Sequence, residues 1–176
     1  TYSIGNGQGD VWLIKIDFNG NEEWSQTYGG SQDEVGRFVQ QTSDGGYIIT
    51  GYTESYGSGD WDIWLIKSNS TGQEEWNQTY GGSGDDKGYS VEPTTDGGYM
   101  ILGSTSTPNN PHDALLIKTN SQGDQEWSQI TNINVLEGSM GSVSGLSFQQ
   151  TDDDGYIIAG NGIVKTDSEG NEEWIR

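Results

Sequence analysis

Residues 43–80 read SDGGYIITGYTESYGSGDWDIWLIKSNSTGQEEWNQTY, and most of this stretch recurs on either side of itself. The segment DIWLIKSN at 62–69 has counterparts in DVWLIKID at 10–17, DALLIKTN at 113–120 and a shortened GIVKTD at 162–167, at offsets of 52, 51 and about 47 residues. Each is followed by a glycine turn and then a tryptophan, at Trp24, Trp76, Trp127 and Trp174. The segment SDGGYIITGYT at 43–53 returns as TDGGYMILGST at 95–105 and DDDGYIIAGN at 152–161. Self-similarity at a fixed period means that one supersecondary unit is being stacked.

One unit holds four strand-like runs: VGRFVQQT at 35–42, YIITGYT at 47–53, DIWLIKSN at 62–69 and EEWNQTY at 74–80. Each is rich in β-branched and aromatic residues and bounded by Gly, Asp, Asn or Ser. The SDGG and DFNGN connections are tight turns in which glycine supplies a positive φ. No window carries a sustained apolar pattern at helical spacing, so helices are expected to be almost absent. In DIWLIKSN, Trp64 and Ile66 point one way, and Ile63 and Leu65 the other. Both faces are apolar, as in a sheet held between neighbouring sheets. Four antiparallel strands recurring at about 50 residues are the period of a β-propeller blade. The expected fold is therefore an all-β propeller of four-stranded blades, with the recurring tryptophans filling the wedge between the outer parts of adjacent blades.

Composition excludes several functions. Among 176 residues, 7 are Lys or Arg and 27 are Asp or Glu, a formal charge of −20. So few cations argue against nucleic acid and against an anionic membrane surface. Apolar runs reach only four or five residues, too short to insert in a bilayer. The chain has no Cys and one His, His112, which removes thiolate chemistry, disulfides and most metal centres built on these residues. A mean hydropathy of −0.74 would fit disorder, but 7 Trp and 9 Tyr beside 28 Gly and 3 Pro point to many tight turns between packed strands.

The pattern of Gly-Gly-Tyr, Trp-Leu-Ile-Lys and Glu-Glu-Trp elements, in that order, resembles a propeller repeat of secreted and cell-surface proteins of archaea, especially methanogens, and of some bacteria. The resemblance covers all the units. It implies an exported or cell-surface protein and names no chemistry. With strands running from the inside of the propeller outward, residues 1–30 supply an outer half blade. Residues 31–82 and 83–134 then supply two full blades, and 135–176 an irregular one. About three and a half blades leave open ends, so the expectation is either a longer chain or arcs that pair between subunits. No signal peptide or initiator Met is present: TYSIGNGQGDVW at 1–12 parallels TESYGSGDWDIW at 53–64, which places Thr1 inside a loop.

The repeat constrains the candidate sites. Asp33, Glu34, Asp85 and Asp86 precede the innermost strands, where carboxylates converging near a central channel can hold Ca²⁺ or a cationic partner. The third copy, with Asn132, Asn134 and Glu137, departs from that set. The turns at 17–23 and 167–173 look like calcium loops, but a hairpin turn explains every copy. The pairs Glu22–Glu23, Glu74–Glu75 and Glu172–Glu173 suggest acid–base chemistry, yet they obey the repeat, and neighbours on a strand point to opposite faces, so they read as solvated edge residues. Asn69 and Asn77 begin Asn-x-Thr sequons and are candidate glycosylation sites. The repeat also bears a distant likeness to quinoprotein propellers, which implies an enzyme fragment with its active residues elsewhere. The leading expectation is a non-catalytic extracellular module, with no cofactor, that displays loops for a protein, glycan or cation. The third alternative is a subunit of an extracellular assembly.

Overall fold

A computed structural model describes residues 8–106, 113–134, 147–160 and 162–176. The side chains of 132–134 and the whole of Glu137 and His112 lie outside the described set. Among the described residues there are strands and turns and no helix. A two-stranded sheet pairs β1 (Val11–Ile16) with β2 (Glu22–Tyr28). A four-stranded sheet follows: β3 (Glu34–Gln41), β4 (Tyr47–Thr53), β5 (Asp62–Ser68) and β6 (Glu74–Tyr80). The next comprises β7 (Asp86–Pro93), β8 (Tyr99–Thr105), β9 (Asp113–Thr119) and β10 (Gln125–Asn134). The last comprises β11 (Ser147–Gln150), β12 (Tyr156–Ala159), β13 (Ile163–Thr166) and β14 (Glu172–Ile175), all of them short. Every pairing is antiparallel between consecutive strands, so each sheet is a blade-like meander.

The alternation along β5 sends its two faces into two different cores. Ile63 and Leu65 join Ile48 and Tyr80 against Val91, Tyr99, Ile101, Leu115 and Ile117 of the following sheet. Trp64 and Ile66 join Ile49 against Val11 and Tyr28 of the preceding one. A third core repeats the scheme, with Met100, Leu102, Ala114 and Leu116 facing Phe148, Tyr156, Ile158 and Val164. Sheets buried on both faces explain why their central strands read as continuous apolar runs.

Three of the recurring tryptophans pack in these seams. Trp24 meets Tyr47 edge-on at 5.6 Å, Trp76 meets Tyr99 at 5.8 Å and Trp127 meets Tyr156 at 6.3 Å. Each indole also covers the turn glycine of the next sheet. A methyl built on Gly72, Gly123 or Gly170 would lie 2.6, 2.7 or 2.5 Å from Trp24, Trp76 or Trp127 respectively. These glycines have φ of +76°, +82° and +79°, so both the turn and the indole require a residue without Cβ. The Tyr28 hydroxyl donates to the carbonyl of Gly72 across the seam, and that of Tyr80 to Gly123. In the last sheet the position of Gly45 and Gly97 is held by Asp154, at φ 61°.

Candidate functional site

The charged residues of the repeat fall into two sets at opposite ends of the sheets. At the end with the two tight turns, one lysine in each four-stranded sheet is enclosed by two carboxylates. Lys67 lies 2.9 Å from both Asp44 and Glu75, Lys118 2.8 Å from Asp96 and 2.9 Å from Glu126, and Lys165 3.0 Å from Asp153 and 3.3 Å from Glu173. Each ammonium also donates to a backbone carbonyl, of Ser68, Thr119 or Thr166. The second glutamate of each pair is exposed at the sheet edge, as expected, and is in addition ion-paired to the lysine of its sheet. A β-bulge is the cause: Lys67 pairs with Trp76 and Ser68 with Glu74, so Glu75 is the extra residue and swings onto the lysine. The same register shift puts Glu23 on Lys15, at 2.7 Å.

These contacts set the titration of the turn carboxylates. The Thr42 hydroxyl, Lys67 and the Gly46 amide hold Asp44 well below the usual carboxylate range. At Asp96, partial burial pushes upward but is outweighed by Lys118, Thr94 and the Gly98 amide, leaving it at about 2. Asp153 also sits at about 2, through Thr151, Lys165 and the Gly155 amide. The same groups serve in each four-stranded sheet, so the perturbation belongs to the fold.

The other end carries the longer loops. The sequence candidates there separate by role. Glu34 is buried, and its carboxylate accepts from the Gly30 amide (2.8 Å) and the Thr53 hydroxyl (2.9 Å). Asp86 is likewise buried and accepts from the Gly82 amide at 2.8 Å. Both clamp the glycine loop that leads into the first strand of a sheet, β3 or β7. Asp33 accepts the Glu54 amide on its carbonyl at 3.0 Å. Asp85 faces outward, 3.9 Å from Lys87. What the structure brings together instead is Asp86 with Asp62 of the preceding sheet. A methyl on Gly81 would meet Asp86 Oδ2 at 2.5 Å and Asp62 Oδ1 at 2.7 Å. Gly29 is enclosed in the same way by Asp10 and Glu34. Burial, then the Asp86 charge, pushes Asp62 above the usual carboxylate range. Asp10 and Asp62 went unremarked in the sequence, although Asp10, Asp62 and Asp113 all stand at the head of the recurring apolar strand. Among the described residues, no group of three or more His, Asp or Glu side chains is arranged to hold a metal ion.

Beside this seam lies an open cleft of about 350 Å³ lined by Gln32, Glu54, Gly59, Asp60, Trp61 and Asp85. Trp61 stands edge-on to Tyr52, with centroids 4.8 Å apart and an interplanar angle of 89°. Tyr52 is fixed in turn by Arg37, which donates to its hydroxyl at 2.7 Å and lies 5.3 Å from its ring centroid. Three carboxylates, an amide and an indole provide hydrogen-bond acceptors and an aromatic surface on one wall. The positions equivalent to Gln32, Glu54 and Trp61 in the next repeat are Gly84, Ser106 and His112, so the cleft is lined by residues that break the pattern. Repeat matching hides such residues, because they have no counterpart to align with.

The sequons occupy ordered positions. Asn69 anchors the β5–β6 turn, its Oδ1 accepting from the amides of Thr71 and Gln73. Asn77 is exposed on β6, accepts from the Trp64 indole at 3.1 Å and donates to Glu74 at 2.7 Å. Asp17, in one of the calcium-like turns, accepts from the amides of Asn19 and Asn21, as a hairpin turn requires.

The chain matches no protein-family model and no curated protein.

Proposed function

We propose that the chain is a section of a β-propeller, exported or at the cell surface, that binds and does not catalyse. Its sheets form the blades, and further blades cover the open faces at Trp12 and Ile14 on one side and Ile163 and Trp174 on the other, all exposed. The repeat's resemblance to those of secreted and surface proteins supports the location, and the acidic surface suits a soluble, non-self-associating protein. One observation carries the binding role. Residues that obey the repeat hold the blades together, whereas Gln32, Glu54 and Trp61, which break it, line the loop-end cleft. A rigid scaffold with variable loops at one end places specificity in those loops. An indole with acceptor groups around it suits a glycan, which offers C–H faces to the ring and hydroxyls to the carboxylates.

Titration of the protein with an oligosaccharide library by calorimetry tests this. Binding that is lost in Trp61→Ala and weakened in Glu54→Gln supports a glycan site. Binding of Ca²⁺ or a basic peptide in place of sugars moves the assignment to a cationic ligand. A stoichiometric quinone absorbance on protein from its natural source would overturn the non-catalytic reading. The intact mass of that protein gives the number of blades.

A further inference from the structure

The two-stranded sheet is the same unit as the outer half of the others, yet its surroundings differ in three ways. First, β5 is paired on both edges, by β4 and β6, whereas among the described residues β1 is paired on one edge by β2 alone. Second, Val39 and Val91 are the same residue of successive repeats. Val91 is 0% exposed against β4 and β5, but Val39 is 47% exposed, above a groove of about 500 Å³ lined by Val11, Leu13, Val35 and Phe38 among others. Third, the Lys67 side chain, with two carboxylates, is 5% exposed, whereas that of Lys15, with Glu23 alone among the described residues, is 42% exposed.

We infer that the free edge of β1 is a docking site for a partner β-hairpin of the inner-strand type, whose Asp-Gly-Gly-Tyr turn delivers the second carboxylate to Lys15. The groove is lined mainly by apolar side chains, as the buried face of such a hairpin requires. An unpaired strand edge supplies main-chain donors and acceptors, the apolar wall takes alternate side chains, and a single cation marks where the turn must lie. Register follows from the complete sheet, where Tyr47 is opposite Ser68 and Gly51 opposite Trp64. On β1 the incoming tyrosine therefore stands opposite Ile16 and the glycine of its strand opposite Trp12. That glycine is needed, since a methyl on Gly51 would overlap the carbonyl of Val35. The hairpin then buries Val39 as β3–β6 buries Val91. The inference rests on the four-strand blade and not on the glycan site, so a protein that binds no sugar but takes the hairpin leaves it intact.

The test uses a synthetic peptide of residues 34–53 as the hairpin, with hydrogen exchange of the protein read by mass spectrometry. Slowed exchange is expected over residues 11–16 and 35–39. The D44N peptide on the wild-type protein, and the wild-type peptide on Lys15→Met, should each bind about tenfold more weakly, as expected for one lost charge-assisted hydrogen bond. The two changes together should weaken binding no further. Lys15 is exposed, so Lys15→Met leaves the fold in place. A linear peptide carries an ordering cost, so a second arm duplicates residues 34–52 directly ahead of Thr1. This extended chain should melt several degrees higher, and the gain should shrink when the added Asp is changed to Asn. No gain over a scrambled extension, or indifference to Lys15 and to that Asp, overturns the inference. So does protection of 11–16 that rises with protein concentration without peptide, which would make a second copy the occupant.

Discussion

Val91→Ala and Val39→Ala make the same chemical change at one repeat position in two environments, so their difference measures the open groove directly. Val91 is fully buried between two sheets. Losing its methyl carbons removes about 1.6 kcal/mol of transfer free energy at ~0.8 kcal/mol per carbon. Closely packed neighbours add a cavity contribution of up to about 1 kcal/mol. Val39 is about half exposed, and water already enters the groove beside it. Its truncation should cost only about 0.8 kcal/mol, with no cavity contribution. In urea, with a slope of about 2 kcal/mol per M, the midpoint should fall by ~1.2 M for Val91→Ala and by ~0.4 M for Val39→Ala. Tryptophan fluorescence and far-UV circular dichroism should give coincident curves, and unchanged slopes would license the comparison in a repeat protein. Equal midpoint shifts would refute the reasoning, because Val39 would then be as well covered as Val91.

Three other measurements probe the seams and charge clusters. Lys118→Met should cost about 1–2 kcal/mol at pH 7, discounted because Asp96 and Glu126 are half exposed. Asp96 is held at about 2 against 3.8, so its contribution is present above pH ~4 and lost as the pH falls towards 2. The gap between variant and wild type in a urea series should therefore narrow over that window. Gly123→Ala should destabilise by roughly 1–2 kcal/mol for its positive φ and by a further ~1–3 kcal/mol for the indole of Trp76, whereas Gly20→Ala, with nothing within 4 Å, should show only the first cost in thermal melts. Asp62 has a raised pKa, so its ionised form disfavours the folded state above the unfolded value of 3.8 and the penalty disappears as pH falls through the folded value. Asp62→Asn should accordingly raise Tm at pH 7 and leave it unchanged at pH 3.

Much of the fold was legible because the repeat aligns strand with strand. The alternation in DIWLIKSN already assigned Trp64 and Ile66 to one seam and Ile63 and Leu65 to the other, and the spacing of Trp24, Trp76 and Trp127 already suggested that they pack between successive sheets. The lysine clusters were also present, as an Asp, a Lys and a Glu at recurring intervals. Their ion pairs could not be read from the repeat, because strict alternation fails across Glu74, Glu75 and Trp76, where a bulge adds a residue. Asp62 and Asp86 lie 24 positions apart in different sheets, so their meeting at Gly81 depends on how sheets stack. The cleft was the hardest to foresee, since Trp61 and Glu54 stand in a loop whose path no periodicity describes.

The enclosed lysines have a consequence for how this molecule meets its medium. The chain has 7 Lys and Arg, and Lys15, Lys67, Lys118 and Lys165 face carboxylates at the turn end, while Arg37 and Lys87 gather on Tyr52 and Arg176 on Trp174. Most of the basic side chains are thus engaged within the fold, and carboxylates dominate the exposed charge. Its counterions must come from solution. Added salt then quiets repulsion among the exposed carboxylates, which lie within reach of the ionic atmosphere, while scarcely loosening the lysines tucked between turns. Such a protein is built to be more stable in brine than in dilute buffer.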